Sequence, residues 1–131
     1  MAVQLQGNLV KKAHKKIKYT DKMLADLAKC SDPETGPMYF MENFLQIQHP
    51  TKGAIKFEPF KFQKNLVKNY HENRFSINML PRQTGKTTCA SAYLLWYAMF
   101  VPDSQILIAA HKYTGAQDIM NRFRYAYESV P

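Results

Sequence analysis

A polar run at residues 80–88, LPRQTGKTT, carries residue types that bind the phosphates of a nucleotide. In the phosphate-loop pattern G-x-x-x-x-G-K-[ST], glycine lets the backbone approach phosphate, lysine reaches the β- and γ-phosphates, and the hydroxyl binds Mg²⁺. Gly85, Lys86 and Thr87 match these positions, whereas Leu80 replaces the first glycine. We therefore expect ATP and Mg²⁺ to bind here, with Thr87 as the metal ligand. The predicted nucleotide-contacting residues of the loop are Arg82, Gln83, Thr84, Gly85, Lys86, Thr87 and Thr88.

Two further residues have predicted roles at this site. An arginine in a phosphate-binding loop can point at the triphosphate and stabilise transition-state charge, so Arg82 is the predicted catalytic residue. The alternative is an exposed arginine that only adds positive potential. Gln63 follows the aromatic run FEPFKF, and its amide can bind the edge of adenine while a ring stacks on the base. The alternative for Gln63 is an ordinary position on a helix surface.

The elements predicted around the loop alternate between helix and strand. Apolar spacing predicts helices near residues 21–30, 37–49, 60–72, 86–101 and 116–130, the first capped by Thr20. Apolar runs predict strands at residues 54–57, 75–81 and 105–110. The order favours an α/β fold with a parallel sheet flanked by helices. Two confident strands make a poor independent sheet, so we expect an incomplete fold.

Positive charge is concentrated at the start of the chain. The 131 residues carry a formal net charge of +8, and residues 1–30 contain seven lysines against two aspartates. Such an arm can neutralise phosphates and bind nucleic acid non-specifically, although a solvated leader is the alternative. We expect residues 1–36 to form a basic arm with a short helix and residues 37–131 to form the N-terminal part of an ATPase domain.

Composition excludes several other classes of protein. With 46% hydrophobic and 21% charged residues, the chain is neither disordered nor collagen-like. The sequence has no apolar run long enough for a membrane helix, and it has no secretory signal. We therefore expect an intracellular protein. Cys30 and Cys89 stand alone, without metal-ligand spacing, and are predicted to be inert thiols.

Three motifs in register resemble those of a known family. Residues 57–63, residues 82–87 and the strand end Ile108-Ala109-Ala110 with His111-Lys112 look like the ATPase half of the large terminase subunit, the DNA-packaging motor of tailed phages. The likeness is closest to the T-even type and covers about residues 40–131. In that family the loop typically begins with Arg-Gln, so Leu80 in place of glycine becomes a family feature.

The resemblance implies a P-loop NTPase fold of the RecA/ASCE type, with Gln63 on adenine, Arg82 acting in cis, and Lys86 and Thr87 on phosphate and Mg²⁺. It implies double-stranded DNA, a portal protein and a small terminase subunit as partners, a homo-oligomeric ring, and the host cytoplasm as location. His111 and Lys112 would lie near DNA, or in a solvated loop. An acidic pair at the end of a strand and a nuclease domain are missing. We therefore expect an N-terminal piece of an ATPase that is inactive alone.

Two other classes of function stay open. A superfamily 2 helicase fragment would share the upstream glutamine. Helicase loops, however, usually carry glycine at the position of Gln83 and seldom carry arginine at the position of Arg82, so these two residues favour a terminase. A basic DNA-binding or adaptor module with a degenerate phosphate loop would account for the lysine-rich arm and for the missing acids. DNA binding that is sensitive to salt, survives removal of residues 1–19 and does not respond to nucleotide would favour the adaptor.

Overall fold

A computed structural model describes residues 18–49, 51 and 53–130, and within these residues the chain forms five helices and one short antiparallel hairpin. The basic arm at residues 1–17 lies outside the described part. The helices are α1 (Asp21–Cys30), α2 (Gly36–Phe44), α3 (Lys61–Glu72), α4 (Lys86–Phe100) and α5 (Tyr113–Ser129), and the strands are β1 (Gln46–His49) and β2 (Gly53–Lys56).

The helices confirm the sequence predictions most closely where local signals fix their ends. Thr20 caps α1, because its hydroxyl accepts a hydrogen bond from the Met23 backbone N–H at 3.4 Å. Pro37 lies in the first turn of α2, where a missing N–H costs nothing. Pro102 and Asp103 follow the end of α4, and Asp103 has a φ of 55°, a backbone conformation that ends a helix.

Helix α4 is the centre of the packing, in contact with α2, α3 and α5. Its sequence is apolar on most faces, as expected of a helix surrounded by other elements. The side chains of Cys89, Leu95 and Trp96 are buried in one cluster with residues from α1, α2, α3 and α5. The members from those helices and adjoining loops are Cys30, Phe40, Met41, Leu45, Phe57, Leu66, Val67, Ala126 and Val130.

The hairpin corrects one predicted helix. The second helix, expected to continue to about residue 49, ends at Phe44, and residues 46–49 form β1. Strand β1 pairs antiparallel with β2, with Ile47 opposite Ile55 and Gln46 opposite Lys56. The predicted strand at residues 54–57 is thus present as β2, shifted by one residue. The partner strand decides the conformation of residues 46–49, and helical spacing in that segment could not reveal it.

The parallel sheet predicted from residues 75–81 and 105–110 is not present. In the described part of the chain the only sheet is β1–β2, and both segments lack regular secondary structure. Several of their apolar side chains are exposed: Ile77 is 95% exposed, Met79 93% and Leu107 92%. A strand needs a neighbour for its backbone hydrogen bonds, and neither segment has one here. The fold is therefore a small mixed helical and hairpin structure, compatible with an incomplete α/β fragment.

Both cysteines are buried and free, as predicted for inert thiols. Burial raises the pKa of the Cys89 thiol to about 11, and burial together with nearby Asp26 does the same for Cys30. Among the described residues there is no cluster of three His, Cys, Asp or Glu side chains that could hold a metal ion. None of the described helices has the length and hydropathy needed to span a membrane.

Candidate phosphate-binding loop

The loop between residues 80 and 86 has an unusual backbone. Gln83 has a φ of 63° and Gly85 has a φ of 74°, while Thr84 between them does not have a positive φ. Alternation of this kind turns successive backbone N–H groups toward the same side and forms the concave surface on which many proteins bind anions. Gly85 is the residue immediately before α4, and its carbonyl accepts the first bond of the helix from the Cys89 N–H at 2.9 Å.

Two side chains of the loop bond to its own backbone. The Thr84 hydroxyl donates to the Pro81 carbonyl oxygen at 3.1 Å, which narrows the turn. The Lys86 ammonium donates to the carbonyl oxygens of Leu80 and Pro81 at 3.2 and 3.4 Å. Lys86 is exposed, so these bonds compete with water and can be exchanged for a ligand. The ammonium thus lies over the loop, where a bound phosphate would meet it.

Gln63 lies against the same loop although it is 21 residues from Thr84 in sequence. It stands in the first turn of α3, where its Oε1 accepts from the Phe60 backbone N–H at 2.9 Å. Its Nε2 donates to the carbonyl oxygen of Thr84 at 3.0 Å. The side chain is 5% exposed, so this glutamine is not the helix-surface residue of the alternative interpretation.

Exposed aromatic rings lie beside Gln63. The rings of Phe60 and Phe62 are nearly parallel, at an interplanar angle of 8° and a centroid distance of 6.0 Å. Both side chains are exposed, whereas neighbouring Phe57 is buried in the core. A flat exposed ring of this kind is suited to stacking on a nucleobase.

A cleft of about 370 Å³ joins the loop to the third sequence motif. Lys86, Thr87 and Ala90 line one side, and residues 107–109 line another. Asn78 also lines it, held by a hydrogen bond from Asn69 Nδ2 to its Oδ1 at 2.8 Å. The motif residues Ile108 and Ala109 therefore line the same cleft as residues of the loop. Sequence reasoning did not single out Asn69 and Asn78, because isolated asparagines give no motif.

The remaining predicted residues lie around these groups. Arg82 and Gln83 are exposed, and Thr87 and Thr88 in the first turn of α4 are half-buried. His111 and Lys112 are exposed and directly precede α5, which begins at Tyr113. Gln63 and the loop are thus together in the structure, while the catalytic role of Arg82 and the metal role of Thr87 stay predictions.

Comparison with known protein families finds a match for the C-terminal part of the chain. Residues 77–131 match the family model described as terminase large subunit, T4likevirus-type, N-terminal. The matched segment contains the loop, α4, residues 105–110 and α5, whereas Gln63 lies before it. The predicted resemblance to a large terminase subunit of the T-even type is thereby confirmed for this segment. The match supports a terminase role in phage DNA packaging.

Proposed function

We propose that this terminase-like chain is the ATP-binding part of a motor that moves double-stranded DNA into a phage procapsid in the host cytoplasm. The observation that carries the proposal is the loop, whose positive φ values at Gln83 and Gly85 directly precede α4 within the terminase-matched segment. The complete motor would couple ATP hydrolysis to DNA translocation as a ring on the portal protein, with a small terminase subunit as a further partner.

The start of α4 supports binding of the triphosphate. The first N–H groups of a helix have no intrahelical partner and carry the positive end of the helix dipole, which attracts anions. Lys86 would exchange the carbonyl oxygens of Leu80 and Pro81 for the β- and γ-phosphates. The exposed guanidinium of Arg82 would add a second positive charge that can follow the negative charge of the transition state.

Mg²⁺ fits this arrangement through Thr87. The hydroxyl of Thr87 lies in the first turn of α4 and lines the cleft beside Lys86, and phosphates and water would supply the remaining oxygen ligands. When bound, the ion would neutralise charge between the β- and γ-phosphates. Among the described residues, the lining of this cleft contains no carboxylate that could orient an attacking water. We therefore expect weak nucleotide binding and negligible hydrolysis by this chain.

The test is a calorimetric titration of the chain with ATP and Mg²⁺. Lys86→Ala should weaken binding at least tenfold, because it removes the ammonium that lies over the loop. Lys22→Ala removes one positive charge from α1, a helix that contributes nothing to the loop, and should leave the affinity unchanged. Equal affinities for the two variants, or absence of binding by the unmodified chain, would reject the proposal. An appreciable ATPase rate that Lys86→Ala abolishes would contradict the expected inactivity.

A further inference from the structure

We infer that Gln63 is a positioning residue that sets the geometry of the phosphate-binding loop, in place of a residue that reads the nucleobase. The inference deepens the proposed function, on which its ligand-binding test rests. It assigns Gln63 to the phosphate half of the site through one contact, the bond from Gln63 Nε2 to the Thr84 carbonyl oxygen. The resemblance to the terminase family, by itself, implied that Gln63 contacts the adenine.

The first argument is the use of the amide. A side chain that reads a base must present both its donor and its acceptor to the ligand. In Gln63 the acceptor is bonded to the Phe60 N–H and the donor is bonded to Thr84, and the side chain is 5% exposed. Its polar edge faces protein on both sides. With 5% of the residue exposed, a base could reach the amide only after neighbouring residues had moved.

The second argument concerns the direction of the peptide that Gln63 holds. In a trans peptide the C=O of one residue and the N–H of the next point in opposite directions. When Gln63 fixes the Thr84 carbonyl oxygen on its own side, the Gly85 N–H is therefore turned to the other side. Gly85 directly precedes α4, so this N–H joins the donors at the start of the helix.

The third argument is the fit between Gln63 and Gly85. A Cβ atom on Gly85 would lie 2.7 Å from Gln63 Nε2, closer than such contacts allow, so an alanine there would push the amide away from its place against the loop. The positive φ of Gly85 demands glycine for a separate reason. The loop thus has its glycine where the backbone turns and where the amide approaches it. Both the positive φ of Gly85 and the close approach of the Gln63 amide therefore shape the backbone that would bind phosphate.

The ligand test compares ATP with inorganic tripolyphosphate, which has the phosphates but no base. Gln63→Met keeps the unbranched shape and removes both hydrogen bonds of the amide. We expect it to weaken binding of ATP and of tripolyphosphate by the same factor, about three- to tenfold, the size of one neutral hydrogen bond. Phe60→Leu, which removes an exposed ring beside Gln63, should weaken ATP binding and leave tripolyphosphate binding unchanged. Loss of ATP affinity alone in Gln63→Met would overturn the inference.

A second measurement needs no nucleotide. Backbone NMR of the free chain should show that Gln63→Met changes the amide shifts and speeds amide exchange at Thr84, Gly85 and Lys86. Gln63→Glu separates the two bonds, because its carboxylate still accepts from the Phe60 N–H and cannot donate to Thr84. It should therefore disturb the loop amides as much as Gln63→Met while preserving those of α3.

The two measurements distinguish the possible failures. If the unmodified chain binds neither ATP nor tripolyphosphate, the proposed function fails, and disturbed loop amides in both variants still support the role of Gln63 in shaping the loop. If both ligands bind and the loop amides in the variants match those of the unmodified chain, the positioning role is wrong. A merely structural role would lower the melting temperature of Gln63→Met with unchanged affinity for both ligands, and would also reject the inference.

Discussion

The indole N–H of Trp96 donates to the carbonyl oxygen of Cys30 at 2.8 Å, in the buried core and across 66 residues of sequence. The bond joins the middle of α4 to the end of α1, where helix carbonyls lack intrahelical partners. His71, near the end of α3, lies at the same place: one ring nitrogen bonds to the Pro33 carbonyl oxygen and the other to the Tyr93 hydroxyl at 3.3 Å. Three helices and the turn after α1 thus meet around Trp96.

Trp96→Phe tests the bond to Cys30. Phenylalanine keeps an aromatic ring in the core and leaves the buried Cys30 carbonyl oxygen without its donor. We expect the free energy of unfolding to fall by about 1–3 kcal/mol, the cost of an unsatisfied buried polar group. Urea denaturation followed by circular dichroism measures the change. Tyr97→Phe, on the next residue of the same helix, removes a half-buried hydroxyl and should change stability by less than ~0.5 kcal/mol; equal losses in the two variants would contradict the assignment.

Gly36→Ala tests the same contact from the other side. A Cβ atom on Gly36 would lie 2.3 Å from the Cys30 carbonyl oxygen and 3.3 Å from Trp96 Nε1, so the backbone of the turn or the indole must move. We expect a loss of about 1–3 kcal/mol in the free energy of unfolding, as is typical of overpacked cores. Because both substitutions disturb the Cys30 carbonyl, the loss in the Gly36→Ala, Trp96→Phe double variant should be smaller than the sum of the two.

Gly115→Ala is the matched control for Gly36→Ala. Gly115 lies in the first turn of α5, and a Cβ atom there would meet only Ala110 Cβ, at an ordinary 3.4 Å. Alanine favours the helix, so this variant should be more stable by up to ~1 kcal/mol. Destabilisation of the same size at both glycines would show that replacing any glycine is harmful. The loss in Gly36→Ala could then not be assigned to the contact with the Cys30 carbonyl oxygen.

The helices of this fold could be predicted from local sequence, since their signals lie within the helices themselves. The Thr20 cap, Pro37 in a first turn and the break after α4 each depend on residues within a few positions. The error at β1 has a different origin, because each residue of β1 is held by a partner in β2 that lies beyond a turn, four to ten positions later in the sequence. Residues 75–81 and 105–110 have the composition of buried strands, but composition does not supply the neighbours that make a sheet.

The site could be predicted in part for the same reason. The residue types of the loop and its place before a helix follow from a contiguous motif, and the structure gives the loop the backbone turns that such a motif needs. The hydrogen-bond partner of Gln63 could not be predicted, because Thr84 lies 21 residues later in the sequence, after the rest of α3 and the segment that follows it. The sequence showed that Gln63 belongs near the loop, and only the packing of α3 against α4 shows which atom it holds.

Gly85→Ala isolates the fit between the loop and Gln63. Two glycines have nearly the same positive φ, 74° at Gly85 and 73° at Gly53, but a Cβ atom at Gly53 would meet nothing within 4 Å. Gly53→Ala should therefore cost only the strain of the left-handed backbone, about 1–2 kcal/mol. Gly85→Ala adds the collision with Gln63 Nε2 and should cost more, with loss of tripolyphosphate binding.

Denaturation and calorimetry on both alanine variants measure this difference. Phosphate binding should survive in Gly53→Ala, because β2 contributes no residue to the loop or to the cleft beside Lys86. Tripolyphosphate affinity that is unchanged in Gly85→Ala would show that the close approach of Gln63 and Gly85 does not matter for the ligand.

Alkaline pH should destabilise the fold through its two buried thiols. Their pKa is raised from 9.0 to about 11 in the folded chain, so between these values the unfolded chain loses protons that the folded chain keeps. Stability is therefore full below pH 9 and falls as the pH rises from 9 toward 11. Burial also raises the pKa of Tyr70 and Tyr93, which adds a loss in the same direction.

Urea midpoints at pH 7, 8, 9 and 10 measure this loss, with a Cys30→Ala, Cys89→Ala double variant as the comparison. The variant starts from a lower stability because both side chains are buried in the core, so the slopes with pH are compared and not the absolute values. We expect parallel curves up to about pH 8.5 and a steeper fall for the unmodified chain above it. Since the tyrosines are common to both proteins, the difference between the slopes isolates the thiols. Curves that stay parallel to pH 10 would show that the thiols ionise as readily in the folded chain as in the unfolded one.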